Sequence, residues 1–229
     1  MVLFLSKTYG LLSIGKANKK SGWVLRTFST RKVSFMRKMW KTLIQCHLDY
    51  GSVLWAPVDR RRDLIALEKP LRAFTRKAWG LNNQDYWDRL KSFGLYSNQR
   101  RNKRYKIIYI WKSLQGLVPT LGLGLRESGT RLGPLIDIDK PKGSCAIRCL
   151  HRYSIRNFGS RLFNALPVEL KTFSGTALTF KAKLDKFLSY YPDNPQTEDL
   201  TPGTNDWEGR PSNSLIDWTR KLGLPPDGV

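Results

Sequence analysis

The side chains that could do chemistry in this chain are few, and most of them are cations. Two-metal polymerase or nuclease chemistry needs clustered carboxylates holding ions about 4 Å apart. The nearest approach to such a cluster is Asp137-x-Asp139, in a Pro/Gly-rich stretch, and its expected role is turn capping. Cys145-x3-Cys149-x-His151 offers zinc-ligand types, but only three of them, and no Cys-x2-Cys completes the set. No metal and no cofactor is therefore expected. Of the two histidines, His47 falls on the apolar arc of its segment and reads as a satisfied core residue rather than a base. Neither a phosphate-cradling GxxxxGK[ST] loop nor a G-x-S-x-G elbow occurs. No catalytic residue is identified, and the chain by itself is not expected to be an enzyme.

The cations are arranged differently. From Arg60 to Lys77, a helical reading gathers Leu64, Leu67, Leu71, Phe74 and Ala78 on one side and Arg61, Arg62, Lys69, Arg72 and Arg76 on the other. No acid sits within the basic arc. A solvated surface helix would explain it, but a polyanion such as a nucleic acid backbone would pair it. A second cluster, Arg100, Arg101, Lys103, Arg104 and Lys106, opens a helix expected from Ser97 to about Gly116. Like-charge repulsion and the helix dipole both oppose cations at that end. Two readings stand: a phosphate site at the helix N-terminus, or long stems lying over a core of Ile107, Ile110, Trp111 and Leu114. The first is favoured because local rules are most often broken at functional sites.

The charge of the whole chain points the same way. Forty Lys and Arg against eighteen Asp and Glu give +22, and the excess is uneven. Residues 1–118 carry 25 basic and 6 acidic side chains, a net +19; residues 119–191 carry 12 and 5; residues 192–229 carry 3 and 7. The basic half is the footprint of a nucleic-acid-binding surface. An anionic membrane would also attract it, yet the apolar anchor that such binding adds is missing, so no membrane partner is expected. No run is long and apolar enough for a span or a secretory core, and three cysteines suit a reducing compartment. The expected location is intracellular, cytoplasm or nucleus, and not secreted.

Periodicity supplies the elements that must hold these cations. Residues 6–28 read as a broken helical pattern interrupted by Gly10, Gly15 and Gly22. Arg31 to Leu48 is a clean amphipathic helix with Val33, Met36, Trp40, Leu43 and Ile44 on its apolar arc. Pro70 inside the third helix predicts a kink or a shortened helix. Asp85 is a candidate N-cap for a short helix with Tyr86, Leu90 and Phe93 inward, and Gly94 ends it. After a linker with a weak strand pattern at 135–138, helices are expected over Tyr153–Leu166 and Thr176–Tyr191, then a loose tail with one short helix around 215–222. Trp23, Trp40, Trp55, Phe74 and Trp111 are assigned to the core. Trp87 is assigned to the surface, as a candidate for base stacking.

A series of short motifs carries a family resemblance. Lys16-Ala17-Asn18 precedes Gly22-Trp23-Val24-Leu25-Arg26-Thr27-Phe28, and His47-Leu48-Asp49-Tyr50-Gly51 runs to Trp55-Ala56-Pro57. Leu67-Glu68-Lys69 leads into Arg72-Ala73-Phe74-Thr75-Arg76; Arg89-Leu90 precedes Gly94-Leu95-Tyr96-Ser97 and Arg100-Arg101. In order and spacing these resemble the region downstream of the catalytic palm in reverse transcriptases of non-LTR retrotransposons of the Jockey/CR1-like kind. Phe158, Arg161, Asn164-Ala165-Leu166-Pro167, Phe180-Lys181 and Leu184-Asp185-Lys186-Phe187 resemble the C-terminal close of the same polyproteins. The resemblance implies a helical thumb that grips a primer–template duplex, in a fragment of an RNA-directed DNA polymerase without its palm.

The expected fold is mainly α: a basic thumb-like helical bundle over 1–118, a Gly/Pro-rich linker over 119–150, a small helical module over 151–191 and a flexible acidic tail over 192–229. The expected function is sequence-independent backbone binding to an RNA–DNA hybrid or duplex DNA. Arg61, Arg62, Arg72, Arg76, Arg100, Arg101, Lys103 and Arg104 are the expected phosphate contacts. The alternatives are an interaction module for an acidic protein partner, or a retroelement relic without function.

Overall fold

A computed structural model of the chain describes residues 2–57, 61–119, 121–127, 133–138, 142–144, 147, 151, 154–193, 215, 216 and 219, with the side chains of 2–8, 61 and 62 excepted. Asp139, Cys145, Cys149 and most of the expected tail lie outside the described residues. The fold is mainly α, as expected. It divides into two compact units, the first holding residues up to Asn102 together with Asp193, the second holding Lys103 to Pro192. The division falls inside a helix, between residues 102 and 103, and not after residue 118 where the composition changes.

In the first unit, helix α1 (Val2–Thr27) runs unbroken through all three of its glycines. The expectation of an interrupted helix fails for a tertiary reason. Gly10 lies against the indole of Trp55, where an added Cβ would stand 3.2 Å from the ring, so the glycine permits close helix packing rather than ending the helix. Arg31 closes the far end of α1, donating to the carbonyls of Phe28, Thr30 and Leu25. A cation there complements the helix dipole.

The second helical stretch comprises α2 (Val33–Met39), a π-helical turn (Trp40–Ile44) and α3 (Gln45–Asp49). Met36, Trp40, Ile44 and Leu48 follow at spacings of four, and each such step in an α-helix rotates about 40° beyond a full turn. The wider π turn, marked by the Gln45 N–H donating to the Trp40 carbonyl, takes up that drift. All four side chains are consequently buried.

Helix α4 (Ser52–Trp55) packs on α1, and α5 (Arg61–Thr75) continues past Pro70 to Thr75, so the helix is not cut short at the proline. Its Leu67, Leu71 and Phe74 are wholly buried, and the Phe74 ring lies 5.4 Å from that of Trp40. Helix α6 (Tyr86–Phe93) begins as predicted, with Asp85 Oδ2 accepting from the Trp87 N–H at 2.9 Å, and ends at Gly94 with φ 56°. Two tryptophan assignments need correction. Trp87 is half-buried, packed on the core and edge-on to Tyr86, whereas Trp23 is 42% exposed. Trp23 lies off the buried stripe of α1 formed by Gly10, Ser13, Ala17, Ser21 and Val24. His47 is half-buried.

Helix α7 (Asn98–Leu114) begins in the first unit. In the second unit its Trp111 stacks on Phe180 with ring centroids 4.5 Å apart, and Trp111 Nε1 donates to the Phe173 carbonyl at 2.9 Å. Helix α8 (Ile155–Asn164) is capped by Ser154, whose hydroxyl accepts from the Asn157 N–H, and buries Phe158, Leu162 and Phe163. A short helix α9 (Val168–Lys171) follows Pro167, and α10 (Ala177–Tyr190) starts from a Thr176 cap. The weak strand pattern resolves into two short antiparallel strands, β1 (Leu125–Arg126) and β2 (Leu135–Ile136), in the register Leu125↔Ile136 and Arg126↔Leu135. Asn164 acts as a third strand would: its amide accepts from the Ile136 N–H and donates to the Ile136 carbonyl, both at 2.9 Å. Asp137 lies beside Arg126, 3.7 Å away and well exposed.

Candidate nucleic-acid interface

The buried stripe of α5 fixes which of its residues face solvent. With Leu67, Leu71 and Phe74 inward, helical geometry turns Lys69 and Arg72 outward, and both are exposed, as are Arg76 and Lys77 just beyond the helix. Arg61 and Arg62 belong to the same helix, but their side chains lie outside the described residues. Between Glu68 and Asp85 the chain contains no acid, and Glu68 is itself buried.

Arg72 is held in place. Its guanidinium sits 4.5 Å from the Tyr86 ring centroid, a cation–π contact that leaves hydrogen-bonding edges free to meet an anion. Arg89 approaches the same ring at 5.8 Å, donates to the Gln84 carbonyl at 2.5 Å and is buried. Burial pulls the Arg89 guanidinium below its ordinary range; Asp85 opposes that shift, and Arg72 and Arg76 reinforce it. The exposed Arg72 and Arg76 guanidiniums thus act on the buried one of Arg89.

A second exposed group, Arg37, Lys38 and Lys41, lies on the 33–49 helical stretch. The Arg37 guanidinium covers Gly94 at the C-terminal end of α6, where the helix dipole favours a cation. Burial, with Arg37 and Arg101 nearby, pulls Lys41 below the ordinary lysine range.

The arginines of α7 are placed differently from expectation. Arg100, Arg101 and Lys103 are buried, and Arg104 is half-buried. Arg100 Nε lies 3.4 Å from Asp193, and Arg101 Nη2 lies 2.7 Å from Asp49 and 2.9 Å from the side-chain oxygen Oδ1 of Asn98. In the second unit, Arg104 grips Asp185 through two parallel bonds of 2.5 and 2.8 Å. The anion site predicted at this helix N-terminus does exist, but the chain's own carboxylates occupy it. Asp193 accepts from the Ser97 N–H at 2.6 Å and the Ser97 hydroxyl at 2.8 Å; Glu68 accepts from the Gln99 N–H at 2.8 Å and from the Tyr86 hydroxyl at 2.7 Å. Ser97 Oγ in turn accepts from the Arg100 N–H. These bonds satisfy the orphan donors of the first turn. Arg100, Arg101, Lys103 and Arg104 are therefore corrected from open phosphate contacts to cations built into the packed protein.

The structure thus brings Arg72 and Arg76 together on one open face and adds Lys69 and Lys77 to it. Lys77 was legible in principle, since Arg76-Lys77-Ala78-Trp79-Gly80 interleaves cations with an aromatic before a turn glycine. Among the described residues, no group of His, Cys, Asp and Glu could hold a metal ion, and no helix is long and apolar enough to cross a membrane. Compared with known proteins, the chain matches no family model, no curated protein and no solved structure.

Proposed function

We propose that this chain grips a nucleic acid duplex, an RNA–DNA hybrid or duplex DNA, by its phosphate backbone and without reading sequence. The observation that carries the reading is the exposed cationic face of Lys69, Arg72, Arg76 and Lys77, drawn from a run without an acid between Glu68 and Asp85 and fixed by the buried stripe of α5. Backbone binding needs cations set on a rigid element, and it needs no base-edge readers. The resemblance of the chain's motif order to the region downstream of a retrotransposon polymerase palm supports a duplex as ligand. It also supports a fragment whose part is binding rather than catalysis.

The test is a salt series with hybrid, duplex DNA and single-stranded RNA, comparing the native chain with Lys69, Arg72, Arg76 and Lys77 all changed to Ala. Each duplex phosphate contact contributes about 0.9 to the slope of log K against log salt, so the variant slope should flatten by up to about 3.6. An unchanged slope and affinity would overturn the site and leave an acidic protein as the better partner.

A further inference from the structure

Trp79 is 58% exposed at the tip of the turn between α5 and α6, and the backbone of that turn is anchored on both sides. Ala78 before it is wholly buried and Leu81 after it is 8% exposed, which anchors both sides of the tip. Gly80 adopts φ +76°, the left-handed conformation that lets the chain reverse there. The Trp79 N–H donates to the Arg31 carbonyl at 3.0 Å, and Arg31 is itself tied to three carbonyls at the end of α1. The backbone under the indole is fixed from two directions.

Among the described residues, the ring stands apart from the other exposed or half-exposed tryptophans. Trp23 has Lys20 over its face at 4.7 Å and Phe28 at its edge, and Trp87 packs on the core. Among the described residues, no ring and no cation covers the indole of Trp79. Its sequence neighbours Arg76 and Lys77 belong to the exposed cationic face, and Lys32, also exposed, follows the arginine to which its backbone is bonded.

We infer that Trp79 is a stacking platform for an unpaired base, so that the site takes the junction where a duplex gives way to a single strand. The inference rests on the backbone-binding reading above and adds the ligand's form. An aromatic face attracts any base through its π surface, and the adjoining cations hold the strand that carries it. A base inside an intact duplex has both faces covered by its neighbours, whereas a frayed or overhanging base has one open.

The experiment uses the full chain with a blunt duplex and the same duplex bearing a short single-stranded overhang, both read by fluorescence anisotropy. The native chain should prefer the overhang. Trp79→Ala should lose roughly 5- to 150-fold on the overhang and much less on the blunt duplex, where only the end pairs have an open face, with its salt slope unchanged. Trp79→Phe should retain most of the preference, which separates stacking from a general loss of fold. Equal affinity of native chain and W79A for the overhang would overturn the inference, as would equal losses on both ligands. Binding to polyglutamate weakened by W79A, with nucleic acid binding intact, would overturn it in favour of a protein partner. Salt-independent native binding would instead sink the backbone reading itself.

Discussion

Lys106 offers the sharpest test of the physical reasoning, because burial is the single cause acting on its ammonium. The side chain is buried on α7, and burial alone lowers its ammonium from 10.5 to about 8. A lowering of that size corresponds to roughly 3 to 4 kcal/mol of preference for the neutral form. At pH 7 the ammonium is charged in both folded and unfolded chains, so the folded chain bears that cost in full. Lys106→Met keeps the length of the stem and the helix propensity and removes the charge. It should raise the unfolding free energy at pH 7 by roughly 3 to 4 kcal/mol.

The sign of the pH dependence makes the test specific. Between pH 8 and 10.5 the unfolded chain binds the proton that the folded chain has released, so native stability rises with pH across that window. The variant has no such group, and its advantage should shrink through the window and be nearly gone above it. Urea unfolding followed by far-UV circular dichroism at pH 7, 8, 9 and 10.5 measures the difference. Lys106→Arg is the control, since it retains the charge at every one of these pH values and should show no recovery. An M variant no more stable than the native chain at pH 7, or one whose advantage does not shrink with pH, would refute the argument.

Two further outcomes follow from the carboxylates at the start of α7. Burial, aided by Asp193, raises Glu68 above 4.5 against the opposing bonds from Tyr86 and Gln99. The folded chain then holds a proton that the unfolded chain has lost, so stability falls as pH rises from 4.5 to the raised folded value. Glu68→Gln keeps one acceptor oxygen, for the Gln99 N–H, and turns an amide N–H toward the Tyr86 hydroxyl oxygen; it should flatten the melting temperature over that window. Parallel native and variant profiles would count against it. Asp193→Ala strips the acceptor from both Ser97 donors and the counter-charge from Arg100, whose side chain is only 4% exposed. The expected loss is about 3 kcal/mol, with faster amide hydrogen exchange at residues 97–101; unaltered exchange there would contradict the capping role.

What could be read from the sequence was local. The Asp85 cap, the Gly94 stop and the inward faces of α5 and α6 are set by residues within a turn or two of one another, and each stands as predicted. The continuity of α1 was not legible, because the reason for Gly10 is the ring of Trp55. The π turn was visible only as a spacing of four that an α-helix holds poorly. The surroundings of the α7 arginines were the least legible: Asp193 stands 96 residues from the serine it caps, and Asp49 stands 52 from Arg101. No periodicity reports a partner at that distance.

That asymmetry explains why two clusters that look alike in sequence differ in the folded chain. A helix face alternating oily and cationic residues has one solution: the oily side is buried and the cations are displayed, as α5 does. A helix start crowded with arginines has two solutions, an external anion or an internal one, and local sequence does not choose between them. The choice falls to whatever acids the rest of the chain brings. Here Asp49, Glu68, Asp193 and, in the second unit, Asp185 come to α7, whereas no acid occurs from Lys69 to Gln84. Nearly a quarter of the chain's eighteen acids are thus committed to one helix. Where those acids are absent the cations stay displayed, as on the outer face of α5 and in the turn that carries Trp79.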